Sequence, residues 1–538
     1  MSIYSGMTPR GILIMAFASI GALLFVSVTA IDDPIYDLGL DNGWWGTVLG
    51  ETAFLCHYGD ETTVDGVTAC TLSTSRQSAG SGIGSAGVML GCALAVYVNK
   101  VFGRKRSLAF LSILSIIGIV IEMTSALGSS PTGRFGQFIA GKLINSMAMG
   151  MACNIIPIYL SETSTASARG SVINMYNLVQ ITGVIVASAS VYAVSTRTDR
   201  SAYLIPMGIQ LISPGLILIV YYWLPESPRW LIWVGRQAEA VESAKALFLT
   251  HTNNFDADEY CSKIAIAFED EKRFDTGWRD VIRGPDLRRT LIATGAQCFQ
   301  QAQGSSYMTT YIVSFLVGIG VTNYFPVIMG LYMELWVVTV AGSYLPDRFG
   351  RRPNVIFPAA INAASLIIVA ILTTVYTDPS PAVQKASLAL IFIWYFFFGI
   401  QGNQAWIISA EVAPTRNREK VLFISSFSGF GVSLIITWVA PYIQDVGYGN
   451  LGSKIGFIWG SFSILTVIAT YLFLPETRGF SLEQLDYLFD NRVPARKFDG
   501  YHFDDDILAT APVGNVVFAP GTADEAENEA ETKTKEEA

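Results

Sequence analysis

The chain has 538 residues, of which 51% are hydrophobic and only 15% charged, and a net charge of −9. A soluble domain carries about 25% charged residues, so lipid is the solvent this composition suits, and nucleic acid is not an expected partner. Three histidines (His57, His251, His502), all outside the apolar runs, and six cysteines without ligand spacing leave no metal, cofactor or catalytic constellation, so an enzyme is not expected.

Twelve apolar runs follow in chain order, each long enough for the roughly 20 residues that cross a hydrocarbon core. They fall at about 11–30, 80–98, 107–128, 135–160, 171–194, 203–224, 291–318, 325–346, 354–376, 386–410, 419–441 and 455–474. Without period-2 alternation these are helices, because backbone groups in lipid must be satisfied within the segment. The first run has a second reading as a signal peptide ending near Val28-Thr29-Ala30, but removal would leave eleven spans. The expected order is a cytoplasmic N-terminus (1–10), a six-helix bundle (11–224), a cytoplasmic linker with short helices (225–289), a second six-helix bundle (290–474) and a tail (475–538).

Between spans 1 and 2 lies an acidic stretch with Asp32, Asp33, Asp37, Asp41, Asp60, Glu61 and Asp65, read as an outer loop. Cys56 and Cys70 stand in it, either as a disulfide or as two thiols. Eleven Lys and Arg residues lie in the loops of one side: Lys100, Arg104, Lys105, Arg106, Arg169, Arg348, Arg351, Arg352, Arg416, Arg418 and Lys420. Six lie on the other: Arg76, Arg134, Arg197, Arg200, Lys385 and Lys454. The richer side is expected to be cytoplasmic, with both termini. After about 495 the apolar content falls, and the tail is expected to be disordered.

The chain also repeats itself. NKVFGRKR (Asn99–Arg106) follows span 2 as DRFGRRP (Asp347–Pro353) follows span 8. IYLSETSTASARG after span 4 answers IISAEVAPTRNRE after span 10, and LPESPRW after span 6 answers LPETRGF after span 12. The paired glycines, Gly103 and Gly350, are 247 residues apart, Glu162 and Glu411 are 249 apart, and Glu226 and Glu476 are 250 apart. Two parallel six-helix halves around a midplane cavity are a transporter architecture.

Four motifs carry a resemblance. Asp347-Arg348-Phe349-Gly350-Arg351-Arg352, Pro157-Ile158-Tyr159-Leu160-Ser161-Glu162 with Arg169-Gly170, Pro225-Glu226-Ser227-Pro228-Arg229 and Pro475-Glu476-Thr477-Arg478-Gly479 each stand at the matching span of the sugar porter family of the major facilitator superfamily. Over about 11–490 the chain resembles that family. The resemblance implies an all-α membrane protein of 12 transmembrane helices in two pseudo-symmetric bundles, a multi-pass monomer in the plasma membrane. It would move a sugar or related polyhydroxylated small molecule by alternating access, facilitatively or with a proton. A non-transporting nutrient sensor on the same fold is the alternative. The motif residues Asp347, Arg351, Glu411, Arg418, Glu162, Arg169, Glu226 and Glu476 would form a cytoplasmic latch pairing across the two bundles. Lys100 or Asn99 replaces an acid in the first half, which predicts a weaker latch there.

Span 7 reads GAQCFQQAQGSSYMTTY and sets Gln297, Gln300 and Gln301 on one helical face. Amides are costly in lipid unless they meet ligand, water or one another. The resemblance assigns these three to sugar binding, with Ser306 at an asparagine position, Trp406 as the ring-stacking residue, and Asn177, Gln180 and Asn403 as further wall residues. It places the span-8 and span-11 asparagine positions at Leu335 and Gly429. Proton-coupled members pair a span-1 aspartate with a span-4 arginine. These positions read as Val28 and Lys142, which favours facilitated diffusion. Two acids nonetheless lie inside spans, Glu122 and Glu334. Glu334, beside Leu335 and read as near the cavity rim, is the candidate for proton or polar coupling together with Lys142.

Overall fold

The computed structural model describes residues 40–64, 67–164, 169–249, 255–273, 277–342, 345–376, 380–414, 417–445, 447–480, 482–499 and 501. The predicted first span and the acidic end of the tail lie outside them.

The described chain opens with α1 (Leu40–Val48) and α2 (Thr52–Tyr58). A hairpin follows, β1 (Asp60–Val64) against β2 (Val67–Thr71), with Glu61 opposite Cys70. A disulfide joins Cys56 of α2 to Cys70 of β2, with the Cα atoms 4.8 Å apart. The acidic stretch read as an outer loop is therefore only partly a loop. Trp44, Trp45 and Val48 of α1 are wholly buried, and their cluster includes Phe54, Phe138 and Tyr203. Sequence reading missed α1 because nine residues with two glycines, an aspartate and an asparagine show no apolar run; only packing partners make it a bundle helix.

Spans 2 and 3 form one kinked element, α3 (Thr74–Thr124), broken at Gly103 (φ 83°). Next come α4 (Pro131–Thr163), α5 (Arg169–Val194) and a divided span 6, α6 (Ser201–Ile209) and α7 (Ile212–Val220). The linker folds into α8 (Pro228–Trp233), α9 (Gln237–Phe248) and α10 (Ala257–Arg273), which share a small core of Trp230, Leu231, Leu247, Phe248 and Cys261.

The second half begins with α11 (Gly284–Gln300). A π-turn at Gln301–Ser305 separates it from α12 (Ser306–Thr310) and α13 (Ile312–Gly318). It continues through α14 (Tyr324–Gly342), the short α15 (Leu345–Phe349), α16 (Arg351–Val375), α17 (Pro381–Val412), α18 (Arg418–Gln444) and α19 (Gly456–Phe473). Among the described residues, eight helical segments are long and apolar enough to cross a membrane. Helix α20 (Leu482–Asp490) begins what sequence assigned to the tail. Order extends slightly past the expected limit of 495, because Phe498 is fully buried against Phe489, with ring centroids 5.2 Å apart.

The motifs gather at one end of the bundles, the disulfide hairpin at the other. Hydrogen bonds between the halves run from the disulfide end toward the middle. Thr74 donates to Asp445 (2.6 Å), the Tyr324 hydroxyl to the Gly50 carbonyl (2.8 Å), and Trp336 Nε1 to Thr182 Oγ1 (3.0 Å). At the same end Gly46 of α1 lies directly on the Thr309 carbonyl of α12, where a Cβ would collide. Lipid tails give little drive to helix association, so close packing and polar contacts of this kind hold the halves together.

Candidate functional site

The motif end is built twice. Gly103 and Gly350 take φ values of 83° and 93°, a region that glycine alone enters freely. Each turn starts a helix whose exposed N–H groups point at a carboxylate. Glu226 accepts from the backbone of Arg104 (2.9 Å) and Lys105 (3.0 Å), and Glu476 from that of Arg351 (2.9 Å) and Arg352 (3.0 Å). An anion at a helix N-terminus is favoured by those free donors and by the helix dipole. A Cβ on either glycine would lie about 2.5–2.6 Å from the same carboxylate. Burial raises the pKa of Glu226 while the N–H groups of Lys105, Ser227 and Arg104 oppose it.

The arginine after each glycine completes the cluster. Arg104 makes a two-pronged contact with Glu162 (2.8 and 2.9 Å), and Arg351 reaches Glu411 at 2.7 Å. Ser227 donates to Glu162 (2.5 Å) as Thr477 donates to Glu411 (2.6 Å). One expectation changes. Among the described residues these pairs form inside each half, not across the bundles, because the span 2–3 turn and the span 4 end already abut through the packing of α3 on α4. The contacts described in the two halves match in geometry, and the acid on which the expected difference turned, Asp347, has its side chain outside the described residues. Arg104, left out of the sequence assignment, is the counterpart of Arg351. Arg418 Nη2 donates to the Ala410 carbonyl (2.7 Å). The side chains of Asp347 and Arg169 lie outside the described residues.

In mid-span the second half carries the polar groups. Gln297, Gln300, Gln301, Gln303 and Ser306 are all at most 2% exposed. Gln297 donates to Ser409 Oγ at 3.5 Å, and Gln300 Nε2 to the Gly402 carbonyl at 2.7 Å, so both face α17. Gln301 Oε1 accepts from Ser305 and Ser306 across the π-turn. That turn is fixed by Gly304, at φ 99°, which lies against Trp459 where a Cβ would be 2.9 Å away. Half-buried Trp406 is one helical turn from Gly402, and its Nε1 has no hydrogen-bond partner among the described residues. Gly429 packs beside Gln297, where a Cβ would be 3.2 Å from the glutamine Cβ. The side chains of Asn177, Gln180 and Asn403 lie outside the described residues.

Behind this wall runs an amide chain that the sequence assignment missed. Asn362 donates to Gln401 (3.4 Å) and Gln401 to Gln303 (3.2 Å), while Gln404, fully buried, has both amide atoms without a partner among the described residues. The signal was visible in GIQGNQAW but was overshadowed by span 7. The first half has a smaller chain: Ser115 donates to Asn145 (2.8 Å), and Asn145 to Gln210 (3.2 Å).

Leu335 is not a pocket slot. It is fully buried in an apolar cluster with Leu331, Trp394 and Phe398, near Gly399 of α17. Tyr324 and Phe325 at the start of α14 reach the other half, and so, in mid-span, does Trp336. Half-buried Glu334 lies two positions before it, about 200° round the helix, and its Oε2 has no hydrogen-bond partner among the described residues. Lys142 is fully buried, with Nζ 5.2 Å from the centre of a Trp45 ring. Asp41 is one turn before Trp45 on α1.

Residues 36–489 match the family described as Sugar (and other) transporter, and the chain belongs to it. It is 28% identical to a high glucose sensor, RGT2, of Saccharomyces cerevisiae, over 75% of this chain but only 53% of that one, so it spans about half that relative's length. It is also 28% identical to a major facilitator-type transporter, ecdD, of Aspergillus rugulosus, over 89% of this chain and 87% of that one. A high-affinity glucose transporter of Schizosaccharomyces pombe, ght2, is 26% identical over 87% and 86%. The inward-open xylose transporter of E. coli superposes with a TM-score of 0.70 at 22% identity, covering 89% of this chain and 99% of that one. That likeness gives the major facilitator fold.

Proposed function

We propose that the protein carries a sugar or related polyhydroxylated small molecule across a membrane by alternating access. The observation that carries this reading is the pair of buried amides Gln297 and Gln300 facing α17 one turn from Trp406, with Gln301 buried beside them on the π-turn. Amides can exchange their present partners for substrate hydroxyls, and an indole can cover the apolar face of a sugar ring. The disulfide end faces outside and the motif end, with both termini, the cytoplasm of a plasma-membrane monomer. The doubled motif clusters brace the cytoplasmic end of each bundle as the halves rock, with Asp347, Arg169 and Arg418 as further members. Asn177, Gln180, Asn403 and Ser306 complete the substrate wall.

Lys142, buried beneath Trp45 of α1, is the first candidate for proton coupling, and Glu334 the second. Uptake of labelled hexoses, pentoses, polyols and quinate by proteoliposomes at varied external pH tests the reading, and no saturable flux of any class would end it. Similarity to a glucose sensor favours one alternative, binding without flux; ligand-induced stabilisation in the absence of uptake would identify it.

A further inference from the structure

Besides Asp445, which accepts from Thr74, a second acid stands in the seam at the disulfide end. Glu51 occupies the turn between α1 and α2, outside the spans, and is 1% exposed. Its Oε2 has no hydrogen-bond partner among the described residues. Gly50 beside it accepts the Tyr324 hydroxyl of the other half and lies against that ring, where a Cβ would be 2.7 Å away. Glu51 also lines a cavity of about 530 Å³ with His57, Arg197, Asp199, Arg200 and Tyr203. Closing the halves here thus shuts a carboxyl group away from water; parting them would hydrate it.

We propose that Glu51 is a proton-operated catch of the outer gate, protonated when the halves close at the disulfide end and ionised when they part. An ionised carboxylate with an unpartnered oxygen is strongly disfavoured at a buried position. The protonated group is not. The proton comes from the solution on that side when the gate closes and returns there when it opens, so Glu51 itself moves none across the membrane.

Other charged and titratable groups surround Glu51. Burial and Arg134 hold the His57 imidazole below its ordinary range, and hydrogen bonds from Ser201 hold Asp199 low. Arg197, Arg200 and Tyr203 line the same cavity, and Tyr324 stands beside Gly50. Burial lifts Glu51 from 4.5 to about 7, opposed by the Ala53 N–H. The closed form therefore has its full proton-linked advantage below about pH 4.5 and loses it as the pH rises through about 7. The closed-to-open ratio should change on the order of a hundredfold across that window.

The inference rests on alternating access only in needing a gate that opens. The test places spin labels at Ser129→Cys and Lys385→Cys, exposed positions at the disulfide end of each half. Label separation is measured in lipid nanodiscs without sugar from pH 4.5 to 8.5. The short separation should dominate at low pH and give way to a longer one as the pH passes about 7. Glu51→Gln should hold the short separation throughout, and Glu51→Asp should keep the pH response. The same response in Glu51→Gln, or none in the Glu51 protein, overturns the proposal. The Glu51 and Glu51→Asp curves decide it should Glu51→Gln fail to fold. Uptake on the same preparations separates the two readings: flux with pH-independent separations removes only the catch, and pH-dependent separations without flux remove only transport.

Discussion

At the motif end, Gly103, Arg104, Glu162, Glu226 and Ser227 make the same contacts in one half as Gly350, Arg351, Glu411, Glu476 and Thr477 make in the other. In mid-span the halves part company. The first offers Lys142, Asn145 and Gln210, and the second a dense field of glutamines on α11, the π-turn and α17. On the proposed reading, duplication is kept where both bundles need the same bracing and lost where one substrate would touch two different walls. A bound molecule is asymmetric, so two identical walls would leave one of them mismatched.

The largest test of this contrast is Gln300→Ala. Loss of one or two hydrogen bonds to substrate corresponds to a ten- to hundredfold fall in uptake, measured against protein in the membrane. Asn145→Ala in the first half should cost severalfold at most, and equal losses would break the contrast. Next come Arg104→Ala and Arg351→Ala. Each strands a partly buried glutamate, an effect of about 3 kcal/mol. Because the two clusters match in geometry, thermal stability and uptake should fall by similar amounts in both variants. A much milder Arg104→Ala would bear out the expectation of a weaker first-half cluster.

Proton coupling sharpens the comparison further, because its candidates lie on opposite sides. Lys142→Met should abolish concentrative uptake yet leave exchange of sugar across the membrane, if the first half carries the proton. Glu334→Gln giving that phenotype instead moves coupling to the second half. The smallest effect belongs to Cys56→Ser. A disulfide closing a 14-residue separation contributes about 3 kcal/mol at most, and a melting shift of a few degrees with near-normal uptake is expected.

Much of this was legible beforehand. Three motif spacings gave the two halves, because glycine turns and helix-end acids need particular residues at particular places. The phase of a span was not legible. Helix α14 is apolar all round, so periodicity could not tell Leu335 in the core from Trp336 at the seam. Nor was α1, whose burial depends on α5 and α12 rather than on its own hydrophobicity. The direction of the motif pairs, inside each half, needed coordinates because several acids and arginines share one end and spacing does not choose between them.

Arg289, at the foot of α11, is 1% exposed. It is matched by Asp486 of α20 (2.5 Å), by the Val412 carbonyl (2.6 Å) and by the Phe489 ring. The post-span helix is thus a plug that neutralises a guanidinium at the root of the substrate-facing span. Anyone trimming the polypeptide for crystallography, or fusing a fluorescent reporter, should cut after Asp499. A junction ahead of Leu482 would remove its ion-pair partner and its ring contact, leaving the Val412 carbonyl and the more distant Asp286, and the shortened protein should tend to aggregate on extraction from the bilayer.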